Sequence, residues 1–212
     1  MSVWGGEQTC GIGVATANSP QGPFTDHGKM FRSNEIGVQN SIDPSLLQYE
    51  GRNYLVWGSF RGIYVIELTA DGLSIMSGAK KKRIAGTAFE AVYIHKHGDY
   101  YYMFASIGSC CQGVKSTYKV VVGRSKKVWG PYKDKTGKPM LKNGYSLVIG
   151  ANDHFVGNGH GSQIIQDDAG QDWLLYHGFS RSTPENGRIL LLDQIKWDQE
   201  GWPYVELSLI HI

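Results

Sequence analysis

Residues 51–59 read GRNYLVWGS, and the same pattern returns as GDYYYMFAS at residues 98–106 and as GQDWLLYHG at residues 170–178. Each copy begins with a glycine, continues with aromatic and branched side chains, and ends in small residues. Glycine favours a tight turn, whereas aromatic and β-branched residues favour strands. The repeat therefore predicts three equivalent strands within one all-β fold.

A second motif follows each aromatic strand or its counterpart. GIGVATANSPQGPFTD from Gly11 and VVVGRSKKVWGPYKD from Val120 both read as a strand and a loop that ends in Gly-Pro-aromatic, and GIYVIELTADGLSI from Gly62 occupies the same place. The order of inner, aromatic, third and edge strands predicts four-stranded antiparallel sheets. A β-sandwich also has short strands, but it does not explain this repeated order.

The spacing of the aromatic strands is typical of a β-propeller. Gly51 and Gly98 lie 47 residues apart, which is the length of a propeller blade, and Gly170 follows 72 residues after Gly98. The longer interval predicts an insertion of about 25 residues. Its two candidates are the loop 108–118 and the segment 143–158.

Composition and charge exclude several classes of protein. The chain has 212 residues, 41% of them hydrophobic, with 28 glycines, 25 aromatic residues and a net charge of +2. The only basic run is Lys80 to Arg83, so we expect no nucleic-acid partner. No apolar stretch is long enough to span a bilayer, and the first residues do not read as a secretion signal. A neutral or weakly charged ligand fits this composition.

Two carboxylates share one position in the repeat. Asp43, in NSIDPSLL, and Glu90, in GTAFEAVYIH, each lie eight residues before the glycine of the following aromatic strand. Burial among apolar neighbours raises the pKa of a carboxyl group, which suits a general acid. The alternative is that Asp43 begins an Asp-Pro turn and that Glu90 pairs with a buried arginine such as Arg188. The matched offset favours two acids in one cavity.

His160, in GNGHGSQII, lies ten residues before Gly170, and Ser162 lies at the eight-residue offset. Since strand side chains alternate, we expect His160 and Ser162 to share a face with the two acids. His160 is therefore a candidate ligand for a metal or a sugar, although a single histidine is often only a hydrogen-bonded polar residue.

Residues near the ends of the aromatic strands are candidates for sugar binding. A sugar ring offers an apolar face for stacking and hydroxyl groups for hydrogen bonds. The aromatic candidates are Trp4 and Phe60, and the polar candidates are Asn40, Ser59 and Ser106.

The three cysteines leave several alternatives open. Cys110 and Cys111 are adjacent, so a disulfide between them would be strained, and Cys10 could pair with one of them only if the fold brings them together. All three can also be unpaired small residues.

The ordered set SIDPSLL, YLVWGSFRGIYVIEL, YYYMFASIGSCC, STYKVVVGRSKKVWGPY, GNGHGSQII and DWLLYHGF resembles glycoside hydrolase family 43, in particular its endo-acting α-1,5-L-arabinanases. The resemblance implies a five-bladed β-propeller of four-stranded antiparallel blades that hydrolyses arabinan with inversion. It implies that Glu90 is the general acid and that Asp43 tunes and orients it. It also implies that His160 holds a calcium ion in the central channel through a largely aqueous shell, without an organic cofactor.

The same resemblance implies an extracellular or periplasmic enzyme that acts on arabinan or arabino-oligosaccharides and is a monomer when full length. The chain departs from the family pattern because the first blade, with the base aspartate, is absent, which leaves about three and a half blades. We expect a remnant of blade 2 at 1–40, blade 3 at 41–87, blade 4 at 88–157, blade 5 at 158–206 and a non-native tail at 207–212.

Other functions fit parts of this pattern. An exo-arabinofuranosidase or a β-xylosidase of the same family would keep the acids and differ in the loops around the cleft. A noncatalytic sugar-binding propeller would not need Glu90 as an acid, and a purely structural propeller would have no buried carboxylate at its axis.

We expect the 212-residue chain to release a negligible amount of reducing sugar from linear arabinan, because inversion needs a base on the opposite side of the sugar from the acid. The measurement is reducing-sugar release beside a full-length family member. Release at a comparable rate would contradict this expectation.

Overall fold

The computed structural model describes residues 2–3 and 5–206, so Trp4 and the tail 207–212 lie outside the described residues. Strands dominate, and the all-β prediction is confirmed. Helical structure in the described part is limited to α1 (Ser33–Ile36) and to 3-10 turns at Gly113–Lys115, Met140–Lys142 and Pro184–Asn186. In these ranges no helix is both long and apolar enough to cross a bilayer. The chain divides into two compact units, residues 1–92 and 93–212.

The first unit contains two antiparallel sheets. Strands β1 (Ser2–Val3), β2 (Gly11–Thr16) and β3 (Thr25–Arg32) form a three-stranded sheet in the order β1-β2-β3. Strands β4 (Ser45–Tyr49), β5 (Arg52–Trp57), β6 (Ile63–Glu67) and β7 (Lys82–Ala85) form a four-stranded sheet in sequence order. The strand β5 is the first copy of the aromatic repeat and lies between its two neighbours in the chain, as the repeat predicts.

The core of the first unit is built around the last residue of β5. Trp57 is fully buried, and its ring lies 5.3 Å from the ring of Phe31 and 5.8 Å from that of Tyr64, measured between centroids. Its indole N–H donates to the hydroxyl of Ser41 at 3.1 Å, so the polar edge of the ring is satisfied inside the core. This packing fixes the end of the aromatic strand, where the predicted site residues begin.

The second unit contains a sheet in the order β16-β15-β14-β12-β10-β9-β8, with β11 paired to β10 and β13 paired to β14. Its strands are β8 (Glu90–His97), β9 (Tyr100–Ile107), β10 (Lys119–Ser125), β11 (Ser146–Ile149), β12 (Phe155–Gly159), β13 (Ile165–Gln166), β14 (Asp172–Ser180), β15 (Arg188–Trp197) and β16 (Pro203–Val205). The boundary between the two units falls inside β8.

The strand β12 is a feature that the repeat does not predict. It pairs in parallel with β10 through Lys119 and Asn158 and antiparallel with β14, so the strands expected in two separate sheets join into one. The segment 143–158 is therefore not a plain insertion, because it contains β11, which pairs with β10 as a fourth strand, and then β12. The numbering of blades in a five-bladed propeller stays a prediction.

The loop 108–118 contains a disulfide between the adjacent residues Cys110 and Cys111. Cys10 is buried and free, with its sulfur 3.1 Å from the hydroxyl oxygen of Ser33. The alternatives that pair Cys10 with another cysteine, or leave all three unpaired, are therefore wrong.

The turn that follows β5 requires glycine at its first position. Gly58 has φ +126°, and a Cβ atom there would lie 2.3 Å from the carbonyl oxygen of Gly62. Its N–H donates to the carbonyl of Ile42 at 3.0 Å, which anchors the turn. The turn delivers the next residue, Ser59, into the interior of the unit.

We expect Gly58→Ala to lower the free energy of unfolding by more than about 3 kcal/mol, because a Cβ atom adds a backbone clash to an unfavourable φ. The matched control is Gly51→Ala, where φ is +73° and nothing lies within 4 Å of the added Cβ, so only about 1 kcal/mol is lost. Equal losses in chemical denaturation would show that the close approach to Gly62 is unimportant.

Candidate active site

Glu90 is the first residue of β8 and is buried, with 8% of its surface exposed. Its Oε2 accepts a hydrogen bond of 2.7 Å from the hydroxyl of Ser59, which is itself 1% exposed. A carboxyl group removed from water needs such a partner, since an unpaired one would be strongly destabilising. The structure therefore holds Glu90 in a defined orientation inside the first unit. Arg188, offered above as a buried partner, is an exposed residue.

Asp43 is tied to the backbone immediately after Glu90. Its Oδ2 accepts the N–H of Ala91 at 3.1 Å, and the residue is half-buried. Asp43 lies in the irregular segment 41–44, directly before β4 and not within a strand. The two acids are nevertheless brought to one place, as their shared offset predicts.

The remaining predicted residues of the first unit support this pair. The side-chain amide of Asn40 donates to the carbonyl of Ser59 at 3.0 Å, and the backbone N–H of Phe60 donates to the carbonyl of Phe89 at 2.9 Å. Asn40 and Ser59 are thus buried partners of the site, whereas Phe60 is half-buried. Direct contact of these three residues with a sugar stays a prediction, and Trp4 lies outside the described residues.

The backbone at this site is in the left-handed region at four residues other than glycine: Asn40 (φ 53°), Asp43 (φ 54°), Phe60 (φ 50°) and Ala91 (φ 51°). Such conformations are uncommon outside glycine and persist only where the surroundings impose them, often at functional sites. All four residues lie next to Glu90 in the sequence or contribute hydrogen bonds to the structure around it. The local strain therefore marks the same place as the two acids.

The second unit holds a separate group around His160. The backbone N–H of His160 donates to the hydroxyl of Ser106 at 2.8 Å, and Ser106 is fully buried. The ring of His160 lies 6.2 Å from that of His177, which in turn lies 5.8 Å from the ring of Tyr118. Gly159 permits this arrangement, because a Cβ atom there would lie 2.1 Å from Tyr118.

The two serines occupy the same position in the repeat. Ser59 and Ser106 each lie eight residues after the glycine of their aromatic strand. Ser59 holds Glu90, and Ser106 holds His160. In both units, therefore, the serine at this repeat position forms a hydrogen bond with a residue of the following repeat.

The prediction that His160 and Ser162 share a strand face is wrong. The strand β12 ends at Gly159, and His160 has φ 52°, so the alternation of strand side chains does not extend to it. Ser162 lies in the loop, where its N–H donates to the carbonyl of Leu175 at 2.7 Å.

Calcium prefers six to eight oxygen ligands. The potential calcium ligands described at His160 are its own imidazole and the hydroxyl oxygen of Ser106. That oxygen already accepts a hydrogen bond from the N–H of His160. His160 therefore offers one ligand, and water would have to supply most of the others, as the resemblance to family 43 implies. A calcium ion at His160 stays a prediction.

Sequence reasoning missed His177, although it lies in the third aromatic repeat. Burial, the charge of Arg188 and the proximity of His160 lower the pKa of His177 to about 4. Its Nδ1 is buried and has no hydrogen-bond partner in the described part of the chain. The sequence did contain a signal for this residue. At the same position of the repeat the other two copies have small residues, Gly58 and Ala105, whereas the third copy has a histidine.

We expect the stability of the chain to fall as the pH is lowered from about 6.5 to about 4, because the unfolded state binds a proton at His177 more readily than the folded state. In thermal unfolding, His177→Gln should reduce the dependence of the Tm on pH. Part of this dependence should remain, because burial also lowers the pKa of His95. His154→Gln, at an exposed position, is the control. An unchanged slope in His177→Gln would refute the effect.

Residues 1–203 match the family model described as glycosyl hydrolases family 43. An extracellular exo-α-(1→5)-L-arabinofuranosidase of Cellvibrio japonicus is 38% identical over 223 residues, covering 95% of this chain and 63% of the relative. An extracellular endo-α-(1→5)-L-arabinanase of Bacillus subtilis is 35% identical over 206 residues, covering 93% of this chain and 61% of the relative. The chain thus spans less than two thirds of the length of these relatives.

Solved structures give the same result. A Cellvibrio cellulosa α-L-arabinanase complexed with arabinohexaose has a TM-score of 0.87 at 34% identity and covers 96% of this chain and 71% of that one. An endo-arabinanase of family 43 from Bacillus licheniformis has a TM-score of 0.80 at 33% identity, with 95% and 69% covered. The match over residues 1–203, together with these relatives, shows that the chain belongs to the glycosyl hydrolases family 43.

Proposed function

We propose that the full-length enzyme hydrolyses the α-1,5-L-arabinofuranosyl linkages of plant arabinan and that Glu90 is its general acid. The observation that carries the proposal is the buried carboxyl group of Glu90, held by Ser59 at 2.7 Å, with Asp43 bound to the adjacent N–H of Ala91 at 3.1 Å. A glycosidic oxygen leaves poorly as an alkoxide, so its departure needs a proton donor at a fixed position.

Asp43 has a role in this arrangement other than that of the base. Its carboxylate accepts the N–H of Ala91, the residue directly after Glu90, so Asp43 is fixed beside the acid. In an inverting glycosidase the acid and base are roughly 6.5–9.5 Å apart, with the attacking water between them and the sugar. We therefore assign Asp43 to tuning and orienting Glu90, and the base to a third carboxylate.

The reaction proceeds in one displacement. The base removes a proton from water while the water oxygen attacks the anomeric carbon and the bond from that carbon to the leaving oxygen breaks. Glu90 gives its proton to the leaving oxygen, which departs as a hydroxyl group. The product has the opposite anomeric configuration, the base releases its proton to solvent, and Glu90 regains a proton from solvent. Ser59 keeps the Glu90 carboxyl in place through this step.

Linear arabinan is the substrate that the relatives support. Their names describe an exo-acting α-(1→5)-L-arabinofuranosidase, an endo-acting α-(1→5)-L-arabinanase and an arabinanase complexed with arabinohexaose. Two relatives are named extracellular, which supports action outside the cell on a polymer too large to enter it. We propose an endo mode, in which Phe60 stacks against a sugar ring. The exo mode, supported by the 38% identical relative, would yield mainly one product size.

The test of Glu90 uses a chimera in which residues 1–203 replace the matching part of the Bacillus subtilis endo-arabinanase, so that a base is present. On linear arabinan, Glu90→Gln should lower kcat by about 10²- to 10⁴-fold. The control Glu50→Gln, at an exposed turn position, should keep the activity of the parent chimera. Short oligomers among the early products support the endo mode.

A second substrate separates an acid from a merely structural residue. The substrate is an aryl arabinoside whose leaving group, dinitrophenolate, departs without protonation. On this substrate the loss of kcat in Glu90→Gln should therefore shrink to less than about tenfold. Circular dichroism confirms folding of each variant, and arabinohexaose binding by calorimetry should persist in Glu90→Gln. Equal losses on both substrates would show that Glu90 is not the acid, and unchanged hydrolysis would favour a noncatalytic role for Glu90.

A further inference from the structure

A second cluster of chemically active side chains lies in the second unit, formed by residues other than His160 and His177. His95 and His97 lie two residues apart on β8, so strand alternation places them on the same face. Asp172 is the first residue of β14. One potential ligand atom from each of the three residues lies within 4.8 Å of the other two.

The fold brings these residues together although their strands are far apart in the sheet. In the strand order, β12, β10 and β9 lie between β14 and β8. The three residues therefore meet through their side chains and not along a backbone ladder. A link between Asp172 and the two histidines would join distant parts of one sheet.

Asp172 is held in a fixed orientation. It is buried, its Oδ2 accepts the indole N–H of Trp197 at 2.8 Å, and its Oδ1 accepts the side-chain amide of Gln166 at 3.2 Å. Each carboxylate oxygen has two lone-pair sites, so both keep capacity for a further partner. Hydrogen bonds of this kind to a metal-binding carboxylate orient it and increase the affinity of the site.

His97 is also held by its surroundings. Its ring stacks on the indole of Trp197 with centroids 3.7 Å apart and an interplanar angle of 7°. Its Nδ1 lies 3.9 Å from Oδ2 of Asp172, which is too long for a direct hydrogen bond. Two ligands at about 2.1 Å from a shared tetrahedral ion lie roughly 3.4 Å apart, so a small side-chain movement closes this gap.

His95 is half-buried and lies near the same carboxylate. Its ring lies 6.2 Å from the indole of Trp197 and 6.5 Å from the ring of His97, measured between centroids. His95 therefore lies beside both the second histidine and the tryptophan that holds Asp172.

We propose that His95, His97 and Asp172 bind a divalent first-row transition-metal ion, with Zn²⁺ as the preferred probe. Two imidazole nitrogens and one carboxylate oxygen suit zinc and its neighbours, whereas calcium and magnesium prefer oxygen ligands alone. Water completes the coordination. The ion links β8 to β14 and stabilises the second unit.

The test uses the whole 212-residue chain after treatment with a chelator. Calorimetry with ZnCl₂ at pH 7 should show one site, and Zn²⁺ should raise the Tm, because a ligand that binds the folded state stabilises it. His97→Gln and Asp172→Asn should each weaken Zn²⁺ binding at least about 100-fold. The control variants His27→Gln and His154→Gln, at exposed positions, should bind like the parent chain.

Two further measurements do not depend on the folding of His97→Gln or Asp172→Asn. His160→Gln should retain the Zn²⁺ site, because that residue is not one of the three ligands. In parent chain labelled with 5-fluorotryptophan, one equivalent of Co²⁺ should broaden the ¹⁹F resonance of Trp197, assigned with Trp197→Phe, before the others. The proposal is overturned if Zn²⁺ binding is absent, if it is lost in His160→Gln but not in His97→Gln, or if the Trp197 resonance is not preferentially broadened.

Discussion

The hydrogen bond from Ser59 to Glu90 is the interaction on which the account of this protein depends. The carboxyl group of a residue that is only 8% exposed is costly to keep without a partner, and the serine hydroxyl at 2.7 Å provides one. The neighbouring structure is arranged to place that hydroxyl. Gly58 approaches Gly62 too closely for any side chain, and Asn40 holds the carbonyl of Ser59. The fold thus fixes the acid through the chain segment that follows an aromatic strand.

The same arrangement occurs in two consecutive repeats. The last residue of one aromatic repeat fixes the first site residue of the next one, as Ser59 does for Glu90 and Ser106 does for His160. Both site residues lie next to or at a left-handed backbone position, Ala91 and His160 respectively. An acid and a histidine can therefore differ in chemistry while their supports stay the same.

Sequence reasoning predicted the parts of the fold that follow from local pattern. The aromatic repeats form central strands, and the matched offset of Asp43 and Glu90 corresponds to a shared site. It failed where long-range pairing decides the structure. The strand β12 pairs with β10 and β14, and no local sequence pattern predicts this pairing. The strand also ends before His160, so the alternation of strand side chains could not predict the position of that residue. The meeting of His95 and Asp172 is likewise a product of packing across the sheet.

The most direct measurement of the central claim is a crystal structure of the Glu90→Gln variant with arabinohexaose. The account predicts that the side chain at position 90 lies within about 2.6–3.2 Å of a glycosidic oxygen and keeps its contact with Ser59. It also predicts that Asp43 remains bound to the N–H of Ala91 without reaching the attacking side of the sugar. An oligosaccharide bound elsewhere, or one whose glycosidic oxygens lie out of reach of position 90, would contradict it.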